Sequence, residues 1–180
     1  MNVNRRTWHL PILLLGCTIL TACSGTPAGV EPVRDYDLSK YLGTWYEVAR
    51  LDHRFERGME QVTATYSLLE DGSVRVLNRG FIAEKGMWKD AEGKARLAGD
   101  ADTGHLEVSF FGPFYSSYVV FELDEVYQYA FVSGPSHSYL WFLSRTPQVS
   151  PELKAHFQQR TAELGFDLDE LIWVAQTETP

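Results

Sequence analysis

Cysteine is nearly missing from this chain. Of 180 residues only Cys17 and Cys23 carry a thiol, and both lie before residue 24. Whatever folds beyond them has no disulfide and no thiolate metal site. Basic residues are also scarce: 16 Lys and Arg stand against 24 Asp and Glu, for a formal net charge of -8. Such a balance lacks the basic face that neutralises phosphates and excludes a non-specific nucleic-acid binder. The five histidines, His9, His53, His105, His137 and His156, show no metal-ligand spacing. Gly-x-Ser-x-Gly, a phosphate loop and His-Glu-x-x-His are all absent, which removes the commonest sequence grounds for an enzyme. The N-terminal apolar run, Leu10 to Leu20, falls short of the roughly 20 residues a spanning helix needs.

What is present starts with that run. Arg5 and Arg6 precede it, and Leu20-Thr21-Ala22-Cys23 follows at once. Charge, short apolar stretch and small-residue box in this order make a secretory signal. The box resembles the lipobox of bacterial lipoproteins, which implies cleavage before Cys23 and acylation of its thiol and new amino group. Cys17 then leaves with the signal, no free thiol remains, and losing Arg5 and Arg6 takes the charge from -8 to -10. Ser24 after the cysteine implies, by the same resemblance, sorting to the outer membrane. Ser24 to Val33 is rich in Gly, Pro and small residues, and is expected to be a flexible tether with a reach of roughly 30 Å.

With 44% hydrophobic and 13% aromatic residues, the remainder suffices for one domain with a core. Its pattern is of strands. Gly43-Thr44-Trp45-Tyr46-Glu47-Val48-Ala49-Arg50-Leu51 alternates two faces, with Trp45, Glu47, Ala49 and Leu51 on one. A polar loop, 52–60, leads to a strand over 61–70, and Asp71-Gly72 turns it into another over 73–82. Residues 85–93 look irregular. Short strands are expected at 94–99, 105–111, 117–124, 127–133 and 139–145. Eight strands at hairpin spacing predict an all-β, antiparallel up-and-down barrel, with a sandwich as the alternative. One helix follows, capped by Ser150 with Pro151 first, carrying a stripe of Leu153, Phe157, Thr161 and Leu164 that docks outside the barrel. Leu171 to Ala175 reads as a last short strand.

Three of these stretches carry a family resemblance. Gly43-Thr44-Trp45 is similar to the G-x-W motif of lipocalins, and Leu143-Ser144-Arg145-Thr146-Pro147 to their last-strand arginine motif; Asp124 to Tyr129 meets the middle motif in part. Lys40 through Thr65, with Tyr41 to Arg50 and Asp52 to Gly58 within it, Val108 through Tyr115 and Tyr139 through Pro147 resemble the bacterial outer-membrane lipocalins. The resemblance implies a signal peptide over 1–22, a lipidated N-terminus and tether over 23–34, and a lipocalin domain over 35–180, facing the periplasm from the outer membrane. It implies that Arg145 lies on Trp45 and closes one barrel end.

Parity and resemblance together assign a ligand cavity to Ala49, Val62, Ala64, Tyr66, Val76, Leu106, Val108, Phe110, Val119, Phe121, Trp141 and Leu143. Small residues such as Ala49 and Ala64 leave room beside the large ones. A palmitate-like chain of about 16 carbons gains roughly 10 kcal/mol of gross transfer energy there. Glu47 and Asn78 are the polar residues on the inward face, and Arg50, His53, Arg54 and Arg57 lie toward the mouth. The expected function is binding, storage or transport of fatty acids or lysophospholipids by a membrane-anchored protein, without cofactor or metal, and with room for a homodimer. A structural lipoprotein with a filled barrel and a lipid-modifying enzyme are the alternatives.

Overall fold

The computed structural model describes residues 25–177. The expected signal peptide and Cys23 lie outside the described residues. Short helix α1 (Leu38–Tyr41) is followed by strands β1 (Gly43–Leu51), β2 (Met59–Leu68), β3 (Val74–Ile82), β4 (Met87–Leu97), β5 (His105–Phe111), β6 (Phe114–Leu123), β7 (Tyr129–Ser133) and β8 (Leu140–Ser144). Helix α2 (Pro151–Glu163) and strand β9 (Leu171–Trp173) complete the chain. The sheet order is β2-β3-β4-β5-β6-β7-β8-β1-β9, and a β1–β2 pairing closes it. Every neighbouring pair is antiparallel. In such a barrel the β1–β2, β3–β4, β5–β6 and β7–β8 connections all share one end, and the other three share the opposite end.

One expectation fails in β4. Residues 87–93 are not irregular; Met87 to Gly93 pair in unbroken register with Ile82 to Val76. Near the mouth both faces of this strand are exposed, so the apolar alternation that marks a strand is missing. The barrel seam is built differently from a simple hairpin. β1 pairs with β2 only over Gly43 to Tyr46. Above that, β9 takes the place beside β1, with Ala49 opposite Trp173 and Leu51 opposite Leu171. Gln176 then bridges the gap, donating to Glu47 O at 2.8 Å and Val62 O at 2.9 Å.

A second apolar layer lies outside the wall. Ser150 Oγ accepts from Leu153 N–H at 3.2 Å and starts α2. Phe157 from that helix stacks on Phe142 at 5.0 Å and meets Phe131 edge-on at 4.9 Å. Burying this ring contributes about 2–3 kcal/mol. Leu153 and Leu164 pack against the same layer, and Thr161 is buried within the helix stripe, as the stripe predicts.

The N-terminal segment is not a free tether. Val33 N–H donates to Val120 O at 2.9 Å, Gly104 N–H to Val33 O at 2.9 Å, and Tyr36 N–H to Asp102 O at 2.8 Å. Val30 is buried in the outer layer. Val30, Val33 and Tyr36 recur every third residue along a strap: Val30 joins the outer layer beside Val119 and Phe121, while Val33 and Tyr36 pack on the closed-end core, the Tyr36 ring 5.4 Å from Tyr41. Gly104 makes the close approach feasible: a Cβ there would sit 2.8 Å from Val33 and 2.9 Å from Val120 O.

Candidate functional site

The closed end is built on Trp45, which is fully buried. Its indole Nε1–H donates to Tyr41 O at 2.8 Å, and the Tyr41 ring lies 4.8 Å away. The Arg145 guanidinium lies over the indole at 3.9 Å. It donates to Lys40 O at 2.8 Å, Thr44 O and Leu42 O at 2.9 Å, and Tyr127 O at 3.3 Å. One side chain thus ties β8 to α1, β1 and the β6–β7 turn. Gly43, at φ 96, admits it, because a Cβ would lie 3.3 Å from Arg145 Nη1.

Above Trp45 lies a phenol cluster. Tyr118 OH is 2.7 Å from Tyr41 OH and 2.8 Å from Tyr66 OH. Burial pushes the phenols of Tyr41, Tyr66 and Tyr118 above the ordinary tyrosine range. Tyr118 joins two partners yet gives no sequence signal beyond its place in an apolar strand.

Around and above it, Tyr66, Val76, Leu106 and Leu143 belong to the inner layer, and Ala64, Val108, Phe110 and Trp141 pack against it. Val62 is buried, its Cγ2 3.2 Å from where a Cβ on Gly80 would sit. Val74, Ala95, Val120, Ala130 and Val132 complete this layer. Three cavity assignments need correction: Ala49, Val119 and Phe121 belong to the outer layer with α2 and the strap. In β1 a bulge between Glu47 and Ala49 reverses the alternation, so Ala49 turns out and Arg50 turns in. In β6 both faces are apolar because both are covered, and the inward set is Tyr118, Val120 and, past a second bulge, Leu123. Parity could not be read from such a run.

The mouth carries charge. Arg50, 1% exposed, donates from Nη1 to Glu47 Oε1 at 2.7 Å and from Nη2 to Glu56 O at 2.9 Å and Met59 O at 3.1 Å. Glu56 folds inward from the β1–β2 loop, and its Oε2 accepts from Trp141 Nε1–H at 3.1 Å. His53 Nε2 lies 3.0 Å from the same oxygen, within ion-pair range but out of line for a hydrogen bond. The His53 ring stacks on Phe55 at 3.9 Å. Burial and the neighbouring Glu56 carboxylate push Glu47 well above the ordinary carboxylate range, against the pull of Arg50. Glu56 is the site residue that the sequence conceals, since nothing in a polar loop marks one acid as inward. Asn78 Oδ1 is buried and has no hydrogen-bond partner among the described residues. At the surface Arg57 is held by Asp52 at 2.8 Å, while Arg54 is exposed and makes no ion pair among the described residues. A cleft of about 230 Å³ opens here, lined by His53, Arg54, Phe55, Arg57 and Tyr139.

Comparison with known proteins agrees with this geometry. A family model described as a lipocalin-like domain matches residues 36–176. The chain is 57% identical over 165 residues to the outer membrane lipoprotein Blc of Vibrio cholerae serotype O1, covering 91% of this chain and 96% of that protein. It is 51% identical to the Escherichia coli K12 protein of the same name, covering 88% and 90%. Temperature-induced lipocalin-1 of Arabidopsis thaliana is 34% identical, covering 84% and 85%. Among solved structures, insecticyanin from the tobacco hornworm Manduca sexta shares the fold at a TM-score of 0.67 and 23% identity, over 86% of this chain and 88% of that one. The bacterial relatives agree with the lipid-anchored, outer-membrane location that the N-terminus indicates. A closed barrel with its tryptophan–arginine floor, matched along nearly its whole length, makes the chain a member of the lipocalin family, whose barrels bind small hydrophobic ligands and are not enzymes.

Proposed function

We propose that this lipocalin, anchored through an acylated Cys23, binds fatty acids or lysophospholipids and carries or stores them in the periplasm for membrane maintenance. One observation carries the reading: an apolar barrel interior has its buried charges gathered at the mouth. Arg50, Glu47, Glu56 and His53 lie at that end, while the inner layer below them is apolar apart from phenols, Asn78 and the closed end. An amphiphile with one acyl chain matches this polarity, tail inward and head outward. The free Arg54 beside the mouth cleft supplies a cation for a phosphate or carboxylate head. Each buried CH₂ of the chain contributes about 0.8 kcal/mol, against association costs of several kcal/mol.

The test is uptake of a fluorescent fatty acid by delipidated Cys23→Ser protein. Saturable binding near one ligand per chain is the expected result. No uptake would support a filled barrel, and chemical turnover of the ligand would support an enzyme.

A further inference from the structure

The two ends of the barrel are chemically unlike. At the closed end the connecting loops 69–73, 98–104 and 124–128 carry Glu70, Asp71, Asp100, Asp102, Asp124 and Glu125, and no Lys or Arg. At the open end the loops 52–58, 83–86, 112–113 and 134–138 balance Asp52, Glu56 and Glu84 with Arg54, Arg57 and Lys85. The open end also carries the exposed aromatics. Phe111 and Phe114 close the β5–β6 hairpin and are 83% and 79% exposed. Met87 and Trp88 begin β4, and Phe55 tips the β1–β2 loop, all exposed. Among the described residues, the large apolar side chains exposed at the closed end are aliphatic, Leu68, Leu69 and Val126. Large uncovered rings are costly in water and mark a contact surface.

The strap shows where the anchor leaves the barrel. Gly25 lies against Ser117, where a Cβ would sit 2.8 Å from Ser117 Oγ. Ser117 is three residues from Phe114 and six from Leu123, or about 10 Å from the open tip and about 20 Å from the closed end of β6. Cys23 is two residues beyond Gly25, a span of about 7 Å. A bilayer holding the acyl chains of Cys23 therefore reaches the open rim sooner than the closed end.

We propose that the open rim rests on the membrane surface, with Phe111 and Phe114 inserted among the lipid head groups and chains, so that lipid passes between bilayer and barrel without crossing water. Charge sorts the two ends in the same sense: Asp71 is paired with Lys94, and Lys40 and Arg145 also lie at the closed end, but its loops keep an excess of acids that an anionic surface repels, while the balanced rim is free to approach. The inference rests on the acylated-Cys23 reading, which the mass of the mature protein checks separately.

The experiment uses full-length acylated protein in vesicles of phosphatidylethanolamine and phosphatidylglycerol. A fluorescent label is placed at Phe114→Cys or, as the opposite end, at Val126→Cys. Brominated lipid is expected to quench the Phe114→Cys label and aqueous iodide the Val126→Cys label. Lipid quenching at Val126→Cys, or iodide access at both, would overturn the inference. So would shielding of the Phe114→Cys label without vesicles at twice the monomer mass, which would make this face a contact between two copies. A Phe111→Ser/Phe114→Ser variant is expected to keep its affinity for a fluorescent fatty acid in solution, yet to take it up from vesicles about tenfold more slowly. Equal uptake rates would also overturn the inference. Loss of affinity in both variant and parent would instead refute the ligand reading and leave the label result standing.

Discussion

Replacing Arg145 by alanine removes the clasp of the closed end and nothing from the mouth. The guanidinium lies 3.9 Å over Trp45 and donates to four backbone carbonyls, those of Lys40, Leu42, Thr44 and Tyr127. The stacked contact contributes about 1 kcal/mol for a half-desolvated cation. The carbonyls of Leu42 and Tyr127 are partly buried and lose about 1 kcal/mol each. Those of Lys40 and Thr44 regain water and lose roughly half that. The expected destabilisation is about 4 kcal/mol, or a fall in Tm of about 10 °C for a domain of this size. Denaturant and thermal unfolding of Cys23→Ser protein measure it, with fatty-acid affinity as the control. Arg145→Lys keeps the charge but not the planar fork, and is expected to recover less than half of the loss. A destabilisation under about 1 kcal/mol in Arg145→Ala would refute the reasoning, because the contacts would then be replaceable by water.

Other outcomes follow from the same geometry. Glu47 titrates above its ordinary value of 4.5, so its contribution is intact below pH 4.5 and is lost as pH rises from there through the raised value; Glu47→Gln is expected to remove this fall between pH 4.5 and the raised value, measured by unfolding midpoints across a pH series. Raised phenols at Tyr41, Tyr66 and Tyr118 cost stability only above the ordinary value of 10.0; their ultraviolet ionisation signal is expected to appear with unfolding rather than at pH 10. Phe157→Ala is expected to cost about 3–5 kcal/mol in denaturant unfolding with fatty-acid affinity unchanged, since the ring packs only in the outer layer. Trp141→Ala is expected to weaken fatty-acid binding without unfolding the barrel, read by titration and circular dichroism; equal affinity would count against a place for Trp141 beside the ligand.

The sequence made the barrel legible wherever one face of a strand was covered and the other bare. Trp45, Arg145, the cap at Ser150 and the stripe on α2 each had a local signal strong enough to survive in three dimensions. Failure came where that contrast vanished. β6 is covered on both faces, by the interior and by the strap, so Val119 and Phe121 could not be told from Val120 by parity. β1 changes face at its bulge, a backbone event that no side chain between Glu47 and Ala49 announces. The strap was hidden because Gly, Pro and small residues make a linker-like composition, while its hold depends on three apolar residues and backbone hydrogen bonds to the 98–104 loop and β6. Burial of Glu56 depends on the path of a whole loop and on Trp141, from a strand 85 residues away.

Native mass spectrometry of Cys23→Ser protein, purified without detergent from the periplasm, tests the lipid-binding claim most directly. A single-chain lipid adduct, released by competition with palmitate and reduced by Trp141→Ala, is the expected result. A bare protein mass that stays bare after exposure to fatty acids and lysophospholipids would contradict it.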